Sequence, residues 1–301
     1  MDRRTFLKYA ALTGCGLALR ESLDCLPSSE AAERYDLVVA HGTGKSPAVI
    51  TKAAIDAFGG IRKFVSRGDI VVIKPNIGWD RLPEQAANTN PEVVATIVKL
   101  CFEAGAKKVK VFDRPVNDPR RCYKQSGIAD AVNPLGAELH YIDERRFSDI
   151  PIKGQVLKSW PLYRDVFEAD KIINVPIAKH HGLAKLTMSM KNWMGIMGGE
   201  RGRIHQKIGE SLADICLVVK PTFTVLDAVR ILTANGPQGG NLNDVKRIDT
   251  IVVSADQVAV DSYGATLFGM KGSDLSYVKA GAAIGIGTMD LSKLKIKNLN
   301  V

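Results

Sequence analysis

The chain has five cysteines in 301 residues, none with a Cys-x-x-Cys neighbour, so it cannot build a zinc ribbon or a ferredoxin-type cluster from its own residues. Aromatic residues make up 6%, and no Lys/Arg run interleaves with them, which leaves a nucleic-acid stacking platform without its parts; no nucleic-acid partner is expected. No uninterrupted apolar run is long enough to span a bilayer, and no fixed period of self-similarity signals a repeat. One glycine is also missing. In "VVAHGTGKSP" at 38–47, Val39 stands where a P-loop needs the glycine that opens its phosphate-wrapping turn. The stretch reads instead as strand, glycine turn and helix start, with Pro47 in the first helical turn and His41, Lys45 and Ser46 at the strand-end crevice.

What is present is a globular composition, 46% hydrophobic, with room for one large or two ordinary domains. Residues 1–33 stand apart. "RRTFLK" with the Arg3-Arg4 pair, followed by an Ala- and Gly-rich apolar stretch, has the form of a twin-arginine (Tat) export signal. Such a signal implies the Tat translocase as a partner, folding before export, and a periplasmic or cell-envelope location. "LTGC", ending at Cys15, offers a lipoprotein-type processing site as a second possibility. Residues 1–33 hold four Lys/Arg against five Asp/Glu, so the remaining chain carries a net charge of +10 and favours anionic partners.

Val- and Ile-rich runs at 35–40, 69–75 and 107–113 alternate with helical patterns at 46–58 and 91–105 that end on Gly59 and Gly105. The second half repeats the style, with strand-like runs at 171–176, 222–228 and 249–255 and helical patterns at 205–219 and 256–269. The fold class is α/β, a largely parallel or mixed sheet flanked by helices. The turn-rich residues 144–165 are a candidate hinge between lobes at 34–145 and 165–301.

In a parallel sheet, loops at the C-terminal strand ends converge on a crevice, so polar residues there are the first candidates: Lys74, Asn76, Asp113, Asn174 and Asp227. The densest signal is 174–206, which holds His180, His181 and His205. From Lys179 to Lys207 there are six basic residues, Lys179, Lys185, Lys191, Arg201, Arg203 and Lys207, against the one acid Glu200. Read at helical spacing, Leu183, Leu186, Met190, Met194 and Met197 form an apolar stripe, and His180, Ala184, Thr187 and Lys191 line a polar one beside it. Gly195, Gly198, Gly199 and Gly202 then suggest a flexible loop that carries Arg201 and Arg203 over an anion.

Two chemistries fit these residues. One is a cationic pocket for carboxylate or phosphate, with Lys74, Asn76, Asn90, Lys179, Asn192, Arg201 and Arg203 as ligand-binding groups and His180, His205 and Lys191 as catalytic ones. The other is a divalent-metal site of His180, His205 and Asp227, although no His-x-x-x-His spacing supports it locally.

"GDIVVIKPNIGW", "NTNPEVVATIVKLCFEAGAKKVKVFD", "INVPIAKHHGLAKLTMSMKNWMGIMGG" and "VVSADQVAVDSYGATLFG" together resemble the family known as domain of unknown function 362, from about Asp36 to Gly269. The resemblance implies recurring polar residues at Lys74, Asn76, Asn90, Lys179, His180, Lys191, Asn192, His205 and Asp261. Many members carry cysteine segments for [4Fe-4S] clusters, which implies a redox or cofactor-linked partner. This chain lacks those cysteines. The expectation is therefore an exported protein whose His/Lys/Asn cleft binds an anionic small molecule and acts on it. The alternative is a non-catalytic ligand-, metal- or cofactor-handling protein of the cell envelope.

Overall fold

The computed structural model describes residues 34–301; the twin-arginine stretch and Cys15 lie outside them. In chain order the elements are β1 (Leu37–His41), α1 (Pro47–Ala57), β2 (Ile70–Pro75), α2 (Pro91–Glu103), β3 (Lys108–Val111), α3 (Pro119–Gln125), α4 (Ile128–Val132) and β4 (Glu138–Leu139). There follow β5 (Phe147–Pro151), β6 (Ser159–Tyr163), α5 (Asp165–Glu168), β7 (Lys171–Val175), β8 (Ile177–His181), β9 (Lys185–Thr187) and α6 (Ser189–Asn192). The chain continues through α7 (Ile208–Val218), β10 (Phe223–Leu232), β11 (Val245–Ser254), α8 (Gln257–Thr266), α9 (Ser276–Ala283) and β12 (Ile296–Asn300).

Apart from β5 and β6, the strands form one mixed sheet in the order β12-β1-β11-β10-β7-β2-β3-β4, with β8 branching from β10 and β9 pairing with β8. Pairing is parallel from β10 through β7, β2, β3 and β4, and antiparallel where β11 meets β10 and β1. Strands from 34–145 and from 165–301 share this sheet. Their apolar runs are nearly continuous because both faces are covered. Val38, Ala40, Val71 and Ile73 join α1 and α2 in one core, while Val39, Val72 and Leu226 join α7, α8 and α9 in the other.

Local signals set the helix starts. Ser46 caps α1 through Val49 N with Pro47 next in line, so 38–47 folds as strand, turn and helix start; Gly44 turns at φ 76°. Asp256 caps α8 by accepting from Val258 N and Ala259 N. Cys101, Cys122 and Cys216 are free and buried, and burial pushes the Cys101 thiol up to about 12. Among the described residues, no helix is long and apolar enough to cross a membrane.

Two readings of the sequence need correction. Residues 144–165 are no bare hinge: β5 and β6 pair as an antiparallel hairpin that buries Ile152, Leu157 and Leu162. The buried Asp214 carboxylate ties down its turn by accepting from the N–H groups of Gln155, Val156 and Leu157. The second correction concerns the helical spacing read between His180 and Met197: residues 177–192 form strand β8, strand β9 and the single-turn α6. The β8–β9 hairpin pairs Lys179 with Thr187, His180 with Leu186 and His181 with Lys185. Side chains there alternate with a period of two, so the His180–Thr187–Lys191 stripe does not exist.

Candidate functional site

β2 and β7 end side by side, with Lys74 opposite Asn174. Lys74 is fully buried, and its Nζ lies 2.8 Å from Asp113 Oδ1 beyond the end of β3. The same Nζ donates to Pro75 O at 2.7 Å and to Asn192 Oδ1 at 3.1 Å, so all three of its hydrogens have acceptors. Asp113 also accepts from Ile77 N at 2.6 Å and Arg114 N at 2.9 Å. Burial pushes the Lys74 pKa down, and Asp113 opposes the shift. The backbone of Gly195 lies directly over this pair. A Cβ there would stand 1.7 Å from Asp113 Oδ1 and 2.7 Å from Lys74 Nζ, which is why the turn after α6 needs glycine at this point.

A chain of amides joins the pair to α6. Asn192 Nδ2 donates to Lys74 O and to Asn174 Oδ1, while its Oδ1 also accepts from Asn76 Nδ2 at 3.1 Å. Asn174 in turn donates to Ser189 O and Oγ. At the start of α6 the buried Asp261 carboxylate accepts from Ser189 N at 2.6 Å and Met190 N at 2.9 Å. Burial raises the Asp261 carboxyl to about 8 against the lowering effect of those two N–H groups. The short helix that carries Lys191 is therefore held at both ends.

Above this floor opens a cavity of about 690 Å³, lined by Asn76, Trp79, Asp113, Arg114, Lys179, His181, Thr187, Lys191, Asn192, Arg201 and His205 among others. Lys179 is 1% exposed and donates to Asn76 Oδ1 at 3.1 Å and to Ala87 O. Lys191 is 6% exposed, and its Nζ meets Met194 Sδ at 3.1 Å. Among the described residues, neither ammonium has a carboxylate in ion-pair contact. Burial, reinforced by Lys191 in one case and by Arg201 in the other, pulls the Lys179 and Lys191 pKa values down to about 7. Opposite Lys179 across the hairpin, Thr187 Oγ1 is buried on the cavity wall without a hydrogen-bond partner among the described residues.

Two imidazoles stack on this wall. His181 and His205 have ring centroids 5.7 Å apart and planes 17° from parallel. His181 Nδ1 accepts from Leu183 N and Ala184 N, both at 3.1 Å, so its proton sits on Nε2. His205 Nδ1 lies 2.9 Å from Gly202 O and so carries the proton, which leaves Nε2 as an acceptor. Burial and the nearby cations push His181 down to about 3, and His205 shifts in the same direction, mainly from burial. The pair offers one N–H donor and one basic nitrogen side by side.

The structure brings together Asn76, Lys179, Lys191, Asn192, Arg201 and His205 at the cavity, and places Lys74 just beneath it. Other expectations are corrected. His180 points to the opposite side of β8, where its Nδ1 accepts from Gly236 N; the period of two puts His181 in the cavity instead. Asn90 caps α2 by accepting from Glu92 N. Arg203 is exposed beside Glu200. Arg201 lines the cavity with Nη1 donating to Arg114 O and Met194 O and Nη2 to Pro115 O. His41, Lys45 and Ser46 do not line it.

Nor do His180, His205 and Asp227 assemble as metal ligands. Asp227 accepts from Asn90 N and Val229 N, and burial holds its carboxyl up near 6. Among the described residues no group of three His, Cys, Asp or Glu side chains is placed to hold a metal. Of the adjacent His180 and His181 the cavity takes His181, whose signal is an alternating reading of "AKHHG"; Thr187 enters it from β9, and Arg114, which the sequence reading misses, follows the strand end in "VFDRP".

A thylakoid-associated protein of Synechocystis sp. is 27% identical over 218 residues, which cover 70% of this chain and 66% of that one. Two solved structures, a protein from Thermotoga maritima and the lactate racemase apoprotein from Thermoanaerobacterium thermosaccharolyticum, each give a TM-score of 0.45. The identities are 11% and 13%, and the matches cover 78% and 74% of this chain but 58% and 55% of those chains. The matched region is thus just under two thirds of the Synechocystis relative and little more than half of each solved chain. The domain of unknown function DUF362 matches residues 71–266, which take in β2 through α8 and every cavity residue named above, and the chain belongs to that family.

Proposed function

We propose that the cavity binds a small carboxylate- or phosphate-bearing molecule and acts on it. The observation that carries this reading is the pair of buried ammonium groups, Lys179 and Lys191, that share a cavity without a carboxylate against either. Burying an unpaired charge is costly, and an anion that reaches both lysines relieves that cost while making charge-assisted hydrogen bonds. The Thr187 hydroxyl supports the same reading, since it is a buried donor in want of an acceptor. The His181–His205 pair favours action on the anion over retention alone, because it sets a neutral N–H hydrogen-bond donor beside a basic nitrogen that can take up and return a proton.

The test is calorimetric titration of the full chain at neutral pH with inorganic phosphate, acetate and pyruvate. The reading expects one site per chain and binding that weakens with added salt. Failure of all three anions to bind would overturn it. Export by the twin-arginine route belongs to the same proposal and rests on "RRTFLK". It predicts that the Arg3→Lys, Arg4→Lys protein accumulates inside the cytoplasm; unchanged export of that variant contradicts it.

A further inference from the structure

The three buried lysines at the site are not equivalent. Lys74 Nζ has acceptors for all three hydrogens, and Lys179 Nζ donates to two oxygens. Lys191 Nζ has the thioether of Met194, a weak acceptor, and otherwise faces the cavity. Its backbone is fixed at both ends of a single helical turn. Asp261 holds the two N–H groups that open α6, and Asn192, the next residue along, makes four hydrogen bonds. An amine on so rigid a base, buried and facing the Arg201 guanidinium, is kept available in its neutral form. Its pKa near 7 agrees with that placement.

We infer that Lys191 is a nucleophile that forms a Schiff base with the carbonyl carbon of a 2-oxo acid. This rests on the anion-binding reading above: Lys179 and Arg201 are the cations left to hold the carboxylate once the Lys191 nitrogen attacks. In the first step the nitrogen lone pair bonds to the carbonyl carbon and the C=O π pair moves to oxygen, which takes up a proton as nitrogen loses one. The carbinolamine then expels its hydroxyl with a further proton as water, and C=N replaces C–OH. The sum is amine plus carbonyl giving imine plus water, with no oxidant or reductant required. His205 Nε2 is the basic nitrogen of the site: in each step it takes the proton that the lysine nitrogen loses and returns it to the oxygen, while the neutral His181 Nε2–H supplies a hydrogen bond and no proton.

The experiment treats the full chain with pyruvate and sodium borohydride, which fixes an imine as a stable secondary amine, and maps the modified lysine by peptide mass spectrometry. Parallel arms use acetone, a carbonyl without a carboxylate, and pyruvate with excess acetate. The expected result is at least tenfold more adduct on Lys191 than on any exposed lysine, with less from acetone and suppression by acetate. Mapping on the unmodified sequence avoids reliance on a variant that might not fold. No adduct, or an adduct on Lys179 or on surface lysines, overturns the assignment of Lys191. Calorimetric anion binding without an adduct overturns the nucleophile and leaves the anion site standing. Equal labelling of Lys191 by acetone, unaffected by acetate, supports the nucleophile and overturns the 2-oxo acid and the anion site together.

Discussion

His181 and His205 stack with 5.7 Å between ring centroids, and their backbone hydrogen bonds fix opposite tautomers. The two rings therefore present different chemistry to one cavity: an N–H from His181 and a lone pair from His205. Nitrogen-15 NMR of the imidazoles checks this directly. His181 should show an unprotonated Nδ1 and stay neutral through the range where an ordinary histidine titrates, because its pKa falls from 6.5 to about 3. A depressed folded-state pKa makes its contribution to stability complete above pH 6.5 and eroded as the pH falls toward 3. A His181 that protonates near 6.5, or that carries its proton on Nδ1, contradicts the assignment.

Thr187 separates stability from binding. Its hydroxyl is buried without a partner, so Thr187→Val removes an unsatisfied group of nearly the same shape. Thermal and urea unfolding should show stability unchanged or raised by about 1 kcal/mol. Phosphate or acetate affinity should fall severalfold. A destabilised variant with unaltered affinity would mean that the hydroxyl has a structural role and no part in the site.

Asp113 has the opposite character. Asp113→Asn leaves Lys74 buried without a counter-charge, and breaking such a pair costs on the order of 3–5 kcal/mol. Gly195→Ala attacks the same pair from above, since the new methyl group has no space over Asp113 and Lys74. Unfolding curves should place both variants well below the parent. A small effect of Gly195→Ala would show that the turn after α6 shifts freely, and with it the fixed setting of Lys191.

Much of the fold was legible because both faces of the sheet are buried, and "LVVA", "IVVI" and "IINV" then read as strands whatever their partners. The cluster of basic residues between Lys179 and Arg201 was legible for a similar reason, as a local excess of charge. The orientation of single residues was not. Leu183, Leu186 and Met190 fit a helical stripe as well as they fit a hairpin followed by a turn, and the wrong period exchanged His180 for His181. Asn90 belongs to a helix start and not to the cavity, and "NPE" carries the cap, the proline and the first-turn acid that define one. What no pattern could reveal was the contact between distant segments, such as Gly195 lying on an ion pair made by the ends of β2 and β3.

The lysines give the site a pH dependence of known sign. Their folded pKa values, about 7 against 10.5, mean that the stability they contribute is present above pH 10.5 and lost as the pH falls through 7. The ligand-free protein should therefore weaken over that fall more than Lys191→Met does, and saturating phosphate should restore the difference, as differential unfolding with and without phosphate would show. Equal pH profiles for parent and variant would contradict the assigned shift.

The most direct test of the anion site is calorimetric titration of phosphate into parent, Lys179→Met and Lys191→Met proteins at pH 6.5 and 8.5. Losing a charge-assisted hydrogen bond of about 1.5–3 kcal/mol predicts roughly tenfold to hundredfold weaker binding in each variant at the lower pH. Affinity of the parent should drop at the higher pH, where both lysines have lost their protons. Folded variants that bind phosphate as tightly as the parent, with no pH dependence in any of the three, would contradict the account.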